Sequence, residues 1–185
     1  MSSSAEPAFV HYGDWDAHAR SHPAIKWMEQ YTKDFESKAS WDRPRTEWQI
    51  ESPYTYIKSD GSVFTGNEAW EANKAAYAVF TKFLHEPCFA VCVDTEYGWE
   101  LIGQATVYGN LSGERAKGEP ERVRDKGKGE EWDVKIPAAY RLQYRKDPEG
   151  VHGGIRLQKT EVMSESLPIV MMLAKRGVIE LPSGA

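Results

Sequence analysis

Apolar positions in the first half of the chain recur with helical spacing at two places. From Pro23 onward they return every three or four residues, which predicts an amphipathic helix that ends near Ser40, with Pro favoured in its first turn. The run Thr65-Gly66-Asn67-Glu68 has the form of a capping box, a common helix start. It predicts a second helix that extends to about Leu84 and stops before Pro87.

Stretches rich in β-branched and aromatic residues predict strands in three hairpins. The paired stretches are Tyr54–Lys58 with Val63–Phe64, Cys88–Asp94 with Trp99–Asn110, and Ala138–Arg145 with Gly153–Val162. A third, short and nearly all-apolar helix is predicted over Leu167–Lys175. This order of elements favours an α+β fold in which helices gather against one side of an antiparallel sheet.

A length of 185 residues suits one domain with a sizeable core. We expect an N-terminal arm over residues 1–20, a single domain over 21–177 and a C-terminal tail over 178–185. Residues 112–135 hold seven basic and seven acidic side chains and four glycines. With so little to bury, this stretch is predicted to be a flexible charged insertion.

Charge and hydropathy exclude several classes of function. The formal net charge is −5 with both signs spread along the chain, which argues against a nucleic-acid partner. No apolar run approaches the roughly 20 residues of a membrane span, and no signal peptide is recognisable, so we expect a cytoplasmic protein without membrane contact. Cys88 and Cys92 lie four apart in a predicted strand, about 13 Å from each other, which favours free structural thiols over a disulfide.

Two runs of sequence resemble SnoaL-like proteins of the NTF2-like superfamily, of the stand-alone fungal type. They are Phe83–Pro87 and Tyr97–Leu111, and the hairpin-to-helix junction Gly61–Ala69 looks like the one widespread in NTF2-like domains. The resemblance covers about residues 20–165. It implies a cone-shaped barrel, in which a curved antiparallel sheet with helices packed over its concave side encloses a small-molecule pocket.

The resemblance also implies a range of functions, because the superfamily includes dehydratases, isomerases, cyclases and members that only bind. We expect a cofactor-independent enzyme that isomerises, dehydrates or cyclises, by a pericyclic route among others, a polyketide- or terpenoid-like substrate. The alternative is a non-catalytic ligand-binding or dimerisation module. A distant resemblance to scytalone dehydratases matches His85 with a pocket histidine, whereas the Tyr-Asp of that family is Phe35-Glu36 here and its second histidine falls near Leu111.

The catalytic residues predicted from the sequence are His85, Tyr108 and Asp94. A histidine suits proton transfer near neutral pH. The structural alternative is that His85 stands at a helix end, where its ring binds a free carbonyl beside Pro87. Asp94 or Glu36 could orient the imidazole, or be an exposed carboxylate. A tyrosine such as Tyr108 that points into a dry pocket can stabilise an oxyanion, or simply fill the core.

Further aromatic and polar residues are candidates for contacts to an apolar, oxygenated substrate. The substrate-binding candidates are Tyr31, Phe35, Tyr54, Phe89, Gln104, Tyr140, Tyr144 and Met171. Met171 lies in the last helix, which could cover the pocket as an adaptable lid.

His18 and His22 lack a third ligand for a metal, and no dinucleotide or nucleotide motif occurs, so no metal or cofactor is predicted. A homodimer is expected through the outer face of the sheet.

Overall fold

The structure, a computed structural model, describes residues 8–51 and 53–181. Within these ranges it contains three helices, α1 (Pro23–Glu36), α2 (Gly66–Ala78) and α3 (Leu167–Lys175). The strands are β1 (Phe9–Tyr12), β2 (Thr55–Ile57), β3 (Val63–Thr65), β4 (Phe80–Thr95), β5 (Gly98–Leu111), β6 (Val123–Arg124), β7 (Glu131–Trp132), β8 (Val134–Lys146) and β9 (Ile155–Ser164). None of the described helices is both long and apolar enough to cross a membrane.

Seven of the strands form one open sheet in the order β1-β4-β5-β8-β9-β2-β3, and β6 pairs with β7 in a separate ribbon. The predicted α+β class is confirmed. Two details differ from the expectation: the sheet has free edges at β1 and β3 instead of closing into a barrel, and it is mixed, because β2 runs parallel to β9. The three predicted hairpins are present, and β1, which the sequence did not predict, pairs with β4.

The predicted end of α2 is wrong. The helix ends at Ala78, and Phe80 to Leu84 begin the long strand β4, in which Phe80 lies opposite Leu111 and His85 opposite Val107. Aromatic and β-branched residues suit this pairing as well as they suit a helix. Pro87 is tolerated within the strand because a register shift between Pro87 and Phe89 marks a bulge there, and prolines in sheets are confined to such positions and edges.

Other predicted helix boundaries are closer. Helix α1 begins at Pro23 as expected but ends at Glu36, four residues before Ser40, and α3 has the predicted bounds. Thr65 is the N-cap residue of α2, yet its side chain makes no capping hydrogen bond, so the predicted capping box is not formed. Cys88 and Cys92 are free thiols.

The helices pack on one face of the sheet and define its inner side. Alternation along β5 directs Leu101, Val107 and Leu111 into the core, whereas Ile102 points outward and is 52% exposed. Aromatic rings of α1 pack against the inner face of the sheet. One example is Trp27, whose ring centroid lies 5.2 Å from that of Tyr144 on β8. The core therefore lies between this face and the helices, which is where a pocket must be sought.

The charged insertion carries buried groups as well as exposed ones. Trp132 and Asp125 are buried, and the Asp125 carboxylate accepts a hydrogen bond from the Trp132 indole at 2.8 Å. The Arg176 guanidinium, directly after α3, donates to Glu119 at 2.7 Å and lies 3.0 Å from Asp133. No local pattern in the sequence indicates these partners, and the flexibility of residues 112–135 stays a prediction.

Candidate active site

A cavity of about 90 Å³ lies between α1, α2 and the inner face of the sheet. Gly103, which has no side chain, and Ala105, which has only a methyl group, form part of its floor on β5. The wall is mostly apolar, and the polar residues on it are Tyr31, Thr32, Asn73, Tyr77, His85, Gln104, Tyr140 and Thr160. A few polar groups in an apolar hollow are typical of small-molecule sites.

His85 and Glu36 meet at this cavity. The Glu36 carboxylate, on the last residue of α1, lies 3.1 Å from Nδ1 of His85 on β4, and it also accepts the backbone N–H of His85. The Glu36 side chain is 15% exposed and the His85 side chain is 12% exposed. Two hydrogen bonds from one residue to one carboxylate fix both the position and the ring orientation of His85.

The other ring nitrogen of His85 faces a phenol. Nε2 lies 2.9 Å from the Tyr77 hydroxyl, which in turn lies 3.4 Å from the Tyr140 hydroxyl. In a neutral imidazole, the Glu36 carboxylate, which can only accept, places the proton on Nδ1 and leaves Nε2 as the acceptor of the Tyr77 O–H. This tautomer presents the lone pair of Nε2 to the cavity side of the ring.

Burial keeps the tyrosines of the wall protonated. It raises the pKa of Tyr77 well above its ordinary value, with the neighbouring Tyr140 adding to the shift. Burial likewise raises the pKa of Tyr140 and of Tyr31. Phenols held neutral are hydrogen-bond donors, so the arrangement combines one base, Nε2 of His85, with donors suited to an oxygen that gains negative charge.

Several predicted residues lie at the cavity. Tyr31, Phe35, His85 and Tyr140 line it, as do Phe89 and Gln104. Strand alternation, however, directs the side chains of Phe89 and Gln104 to the outer face, opposite to Gly103 and Ala105. The Phe89 ring accordingly lies 5.1 Å from Tyr12, which is 73% exposed.

Two predicted catalytic residues lie elsewhere, which corrects the expectation. The Tyr108 side chain is on the outer face of β5, where its hydroxyl donates to Glu86 at 3.1 Å and burial raises its pKa to about 12. Asp94 is exposed near the far end of β4, nine residues from His85 and therefore roughly 30 Å away along the strand. Glu36, which the sequence offered as the other partner, is the carboxylate that contacts the imidazole.

Three substrate-binding candidates are also outside the cavity wall. The hydroxyl of Tyr54 donates to Thr160 at 3.1 Å, so this tyrosine stands behind a wall residue. Tyr144 is buried in the core against Trp27. Met171 is 49% exposed on α3 and does not reach this cavity.

Sequence reasoning missed Tyr77 and Asn73 as site residues. Both lie on α2 and face the cavity, and Asn73 donates to the Tyr31 hydroxyl at 3.4 Å. Tyr77 falls in the stretch for which the sequence predicts a helix to about Leu84. Its spacing from Trp70 along α2, seven residues, was the available signal that it faces α1 and the sheet.

No metal site is formed by the described residues, since none of their His, Cys, Asp and Glu side chains cluster in groups of three or more suited to an ion. His18 and His22, the pair considered from the sequence, both pack against Phe9, at centroid distances of 4.7 and 4.8 Å. Burial lowers the pKa of His22, which favours its neutral form.

Comparisons with known proteins identify the fold. No family model and no curated protein matches the chain. Among solved structures, it is similar to a protein from Jannaschia sp. CCS1 assigned as a SnoaL-like polyketide cyclase, at 14% identity over 81% of this chain and 90% of that one, with a TM-score of 0.51. Hexachlorocyclohexane dehydrochlorinase LinA-type3 from Novosphingobium barchaimii LL02 aligns at 13% identity over 80% and 87% of the two chains, with a TM-score of 0.52.

An NTF2-like protein with a cystatin-like fold from Novosphingobium aromaticivorans gives a third match. It covers 86% of this chain and 88% of that chain at 14% identity, with a TM-score of 0.51. The chain therefore has the NTF2-like fold, shared with SnoaL-like proteins, as the sequence predicted. The distant resemblance to scytalone dehydratases stays a prediction, and fold alone leaves the reaction open.

Proposed function

We propose that the chain is a cofactor-independent enzyme that moves a proton on a small, apolar, oxygenated molecule, with His85 as the base. Base-catalysed isomerisation, dehydration and aldol-type cyclisation of a polyketide- or terpenoid-like substrate begin with such a step. The proposal rests on one observation above the others: a carboxylate, an imidazole and a phenol are hydrogen-bonded in sequence, Glu36 to His85 to Tyr77, at an apolar cavity.

Each member of this series has a distinct role in the proposal. On binding, the substrate displaces the Tyr77 hydroxyl from Nε2 of His85. Nε2 then accepts a proton from a substrate carbon next to a carbonyl, and Glu36 stabilises the imidazolium that forms. The phenols of Tyr77 and Tyr140 donate to the enolate oxygen, and the proton is returned from His85 to another atom of the substrate, or to a leaving hydroxyl. Glu36 acts through His85 and is a positioning residue.

The names of the similar structures support a reaction of this class. One is a dehydrochlorinase, and another carries an assignment as a polyketide cyclase. Both names describe small-molecule chemistry on the same fold. At identities of 13% and 14% they do not identify the substrate of this chain.

The base can be tested without knowing the substrate. In the elimination of 5-nitrobenzisoxazole, a base removes the proton from C3, the N–O bond breaks, and coloured 2-cyano-4-nitrophenolate forms. We expect saturable turnover by the wild type and a loss of at least about 100-fold in His85→Gln, because general-base catalysis contributes that much. His18→Gln replaces an exposed histidine and is the matched control.

The outcomes separate the proposal from its rival. Turnover that survives His85→Gln, or falls equally in His18→Gln, contradicts a catalytic role for His85. Saturable binding of 5-nitrobenzisoxazole without any turnover favours a ligand-binding module. Circular dichroism and the thermal unfolding midpoint of each variant establish that folding is not the cause of a lost rate.

We also propose a homodimer that forms through the outer face of the sheet. Ile102, Met163 and Val93 are exposed there at 52%, 47% and 41%, and exposed apolar groups in one area favour a protein contact. Light scattering is expected to give a mass near twice the 21.0 kDa of one chain, and Ile102→Lys is expected to return it to one chain. A wild-type mass of one chain contradicts the dimer.

A further inference from the structure

A second, larger cavity lies beside the first. Its volume is about 270 Å³, against about 90 Å³ for the cavity at His85. The inner face of the sheet forms its floor with Ile136 and Val162, and Ile169 of α3 reaches it from the other side. Three residues belong to the walls of both cavities: Tyr77, Tyr140 and Val162.

The boundary between the cavities is made by the two phenols nearest His85. The hydroxyls of Tyr77 and Tyr140 lie 3.4 Å apart, and the Tyr77 hydroxyl is 2.9 Å from His85. Tyr77 is the second-last residue of α2, in the last turn, where helices fray most readily. A ligand that occupies both cavities must pass these hydroxyls, so its reacting atoms lie within reach of His85.

The second cavity changes in character from floor to rim. The floor is apolar, whereas the rim carries Lys58, Asp60 and the hydroxyls of Ser59, Ser164 and Ser166. The Lys58 ammonium lies 3.5 Å from the Asp60 carboxylate at this edge. An apolar chain suits the floor, and an oxygen-bearing group at its end suits the hydroxyls and ammonium of the rim.

We propose that the second cavity binds the tail of the substrate while the reacting end lies at His85. The ligand class is an elongated molecule with a compact oxygenated head, an apolar tail that is larger than the head, and a polar oxygen at the end of that tail. This inference rests on the proposed function for the identity of the reacting end. On this proposal, the second cavity selects substrates by the length of their tail.

A homologous series of 4-alkylphenols, from 4-methylphenol to 4-hexylphenol, tests the assignment by isothermal titration calorimetry. The phenol can replace the Tyr77 hydroxyl at His85, and the alkyl chain extends past Tyr140. In the wild type, affinity is expected to rise about fourfold for each added methylene that enters the second cavity. A flat dependence on chain length overturns the proposal.

Variants on α2 and α3 locate the tail. Ala76 lines the second cavity and Ala75 lines neither, and both are exposed, so Ala76→Trp and Ala75→Trp are a matched pair. Ala76→Trp is expected to remove the gain with chain length and to leave 4-methylphenol binding within twofold, whereas Ala75→Trp keeps the gain. Ile169→Trp fills the same cavity from α3 and is expected to behave as Ala76→Trp does.

The two proposals fail in different ways. A gain with chain length that persists in both Ala76→Trp and Ile169→Trp excludes the second cavity as the tail site, even where His85→Gln abolishes the elimination of 5-nitrobenzisoxazole. A gain that these variants remove supports the tail site, even where His85→Gln leaves that elimination unchanged and the base assignment falls.

Discussion

Glu119 and Glu36 are both held by a basic side chain, and the two pairs differ in what the partner can do. The Glu119 and Arg176 side chains are each 1% exposed and lie 2.7 Å apart. Glu36 lies 3.1 Å from His85 at the edge of a cavity. A guanidinium does not give up its proton, whereas an imidazole exchanges one near neutral pH.

The surroundings of the pairs differ in the same sense. Arg176 also donates to the backbone carbonyl of Leu111 at 2.9 Å, so it joins α3, the end of β5 and the charged insertion. The Arg176 hydrogen bond holds the pKa of Glu119 at about 2. A carboxylate paired with a buried basic side chain therefore indicates a catalytic site only where that side chain can exchange its proton and lines a cavity. Where these conditions are not met, the pair stabilises the fold.

The largest expected effect is on stability. Glu119 and Asp133 share two arginines, the buried Arg176 and the partly exposed Arg115. Arg176→Met removes the buried one, and breaking a buried pair in this way typically costs about 3–5 kcal/mol. We expect a loss of that size in the free energy of unfolding, measured in urea. A loss below about 1 kcal/mol, the range of surface pairs, would contradict the structural role given to this ion pair.

For the Glu36–His85 pair, substitution is expected to change the rate of 5-nitrobenzisoxazole elimination more than the stability of the fold. Glu36→Gln removes the charge that orients and stabilises the His85 imidazolium, so the elimination rate should fall by about tenfold or more. Glu36→Asp is expected to recover part of the rate, and Glu68→Gln, on the exposed first turn of α2, to retain all of it. An unchanged rate in Glu36→Gln would separate Glu36 from the chemistry.

Acid should weaken the Glu119 pair in a defined direction. Its pKa of about 2 lies below its ordinary value of 4.5 because of Arg176, so its stabilisation is fully present above about pH 5 and is lost as the pH falls toward 2. The difference in unfolding free energy between wild type and Glu119→Gln is expected to narrow over that interval. Glu121→Gln, at an exposed position, should differ little from wild type at any pH.

The smallest effect is expected at an exposed pair in the same insertion. Arg124 and Glu131 lie 2.7 Å apart with side chains 69% and 48% exposed. Arg124→Met should change the free energy of unfolding by less than about 1 kcal/mol. A loss as large as that of Arg176→Met would mean that burial does not decide which pair of the insertion matters.

The sequence predicted the parts of the fold that depend on local patterns. The starts of α1 and α3 follow from Pro23 and from the apolar run after Ser166, and the turns of the hairpins from Gly and Asp. It failed over Phe80 to Leu84, where the residues suit a helix or a strand and the pairing with β5 decides. The partner of Arg176, Glu119, lies 57 residues away, a separation that no local pattern reveals.

The candidate site could also be predicted only in part, because it depends on long-range pairing as well as on local patterns. His85 and Glu36 were both named, and the structure brings them together. Tyr108 and Asp94 were named as well, but the inner face of β5 is set by where the helices pack, and a bulge after Pro87 shifts the register of β4. The place of Tyr77 in the site could not be predicted without the end of α2 at Ala78, and that end is defined by the pairing of β4 with β5.

The central claim is that Glu36 holds His85 in the tautomer with the proton on Nδ1, so that the Nε2 lone pair faces the Tyr77 hydroxyl at the cavity wall. Long-range proton–nitrogen correlation NMR of the His85 ring, in ¹⁵N-labelled protein at neutral pH, measures this directly. The account predicts a proton on Nδ1 and none on Nε2 in the wild type, and loss of that preference in Glu36→Gln. A wild-type ring that carries its proton on Nε2 would contradict the account.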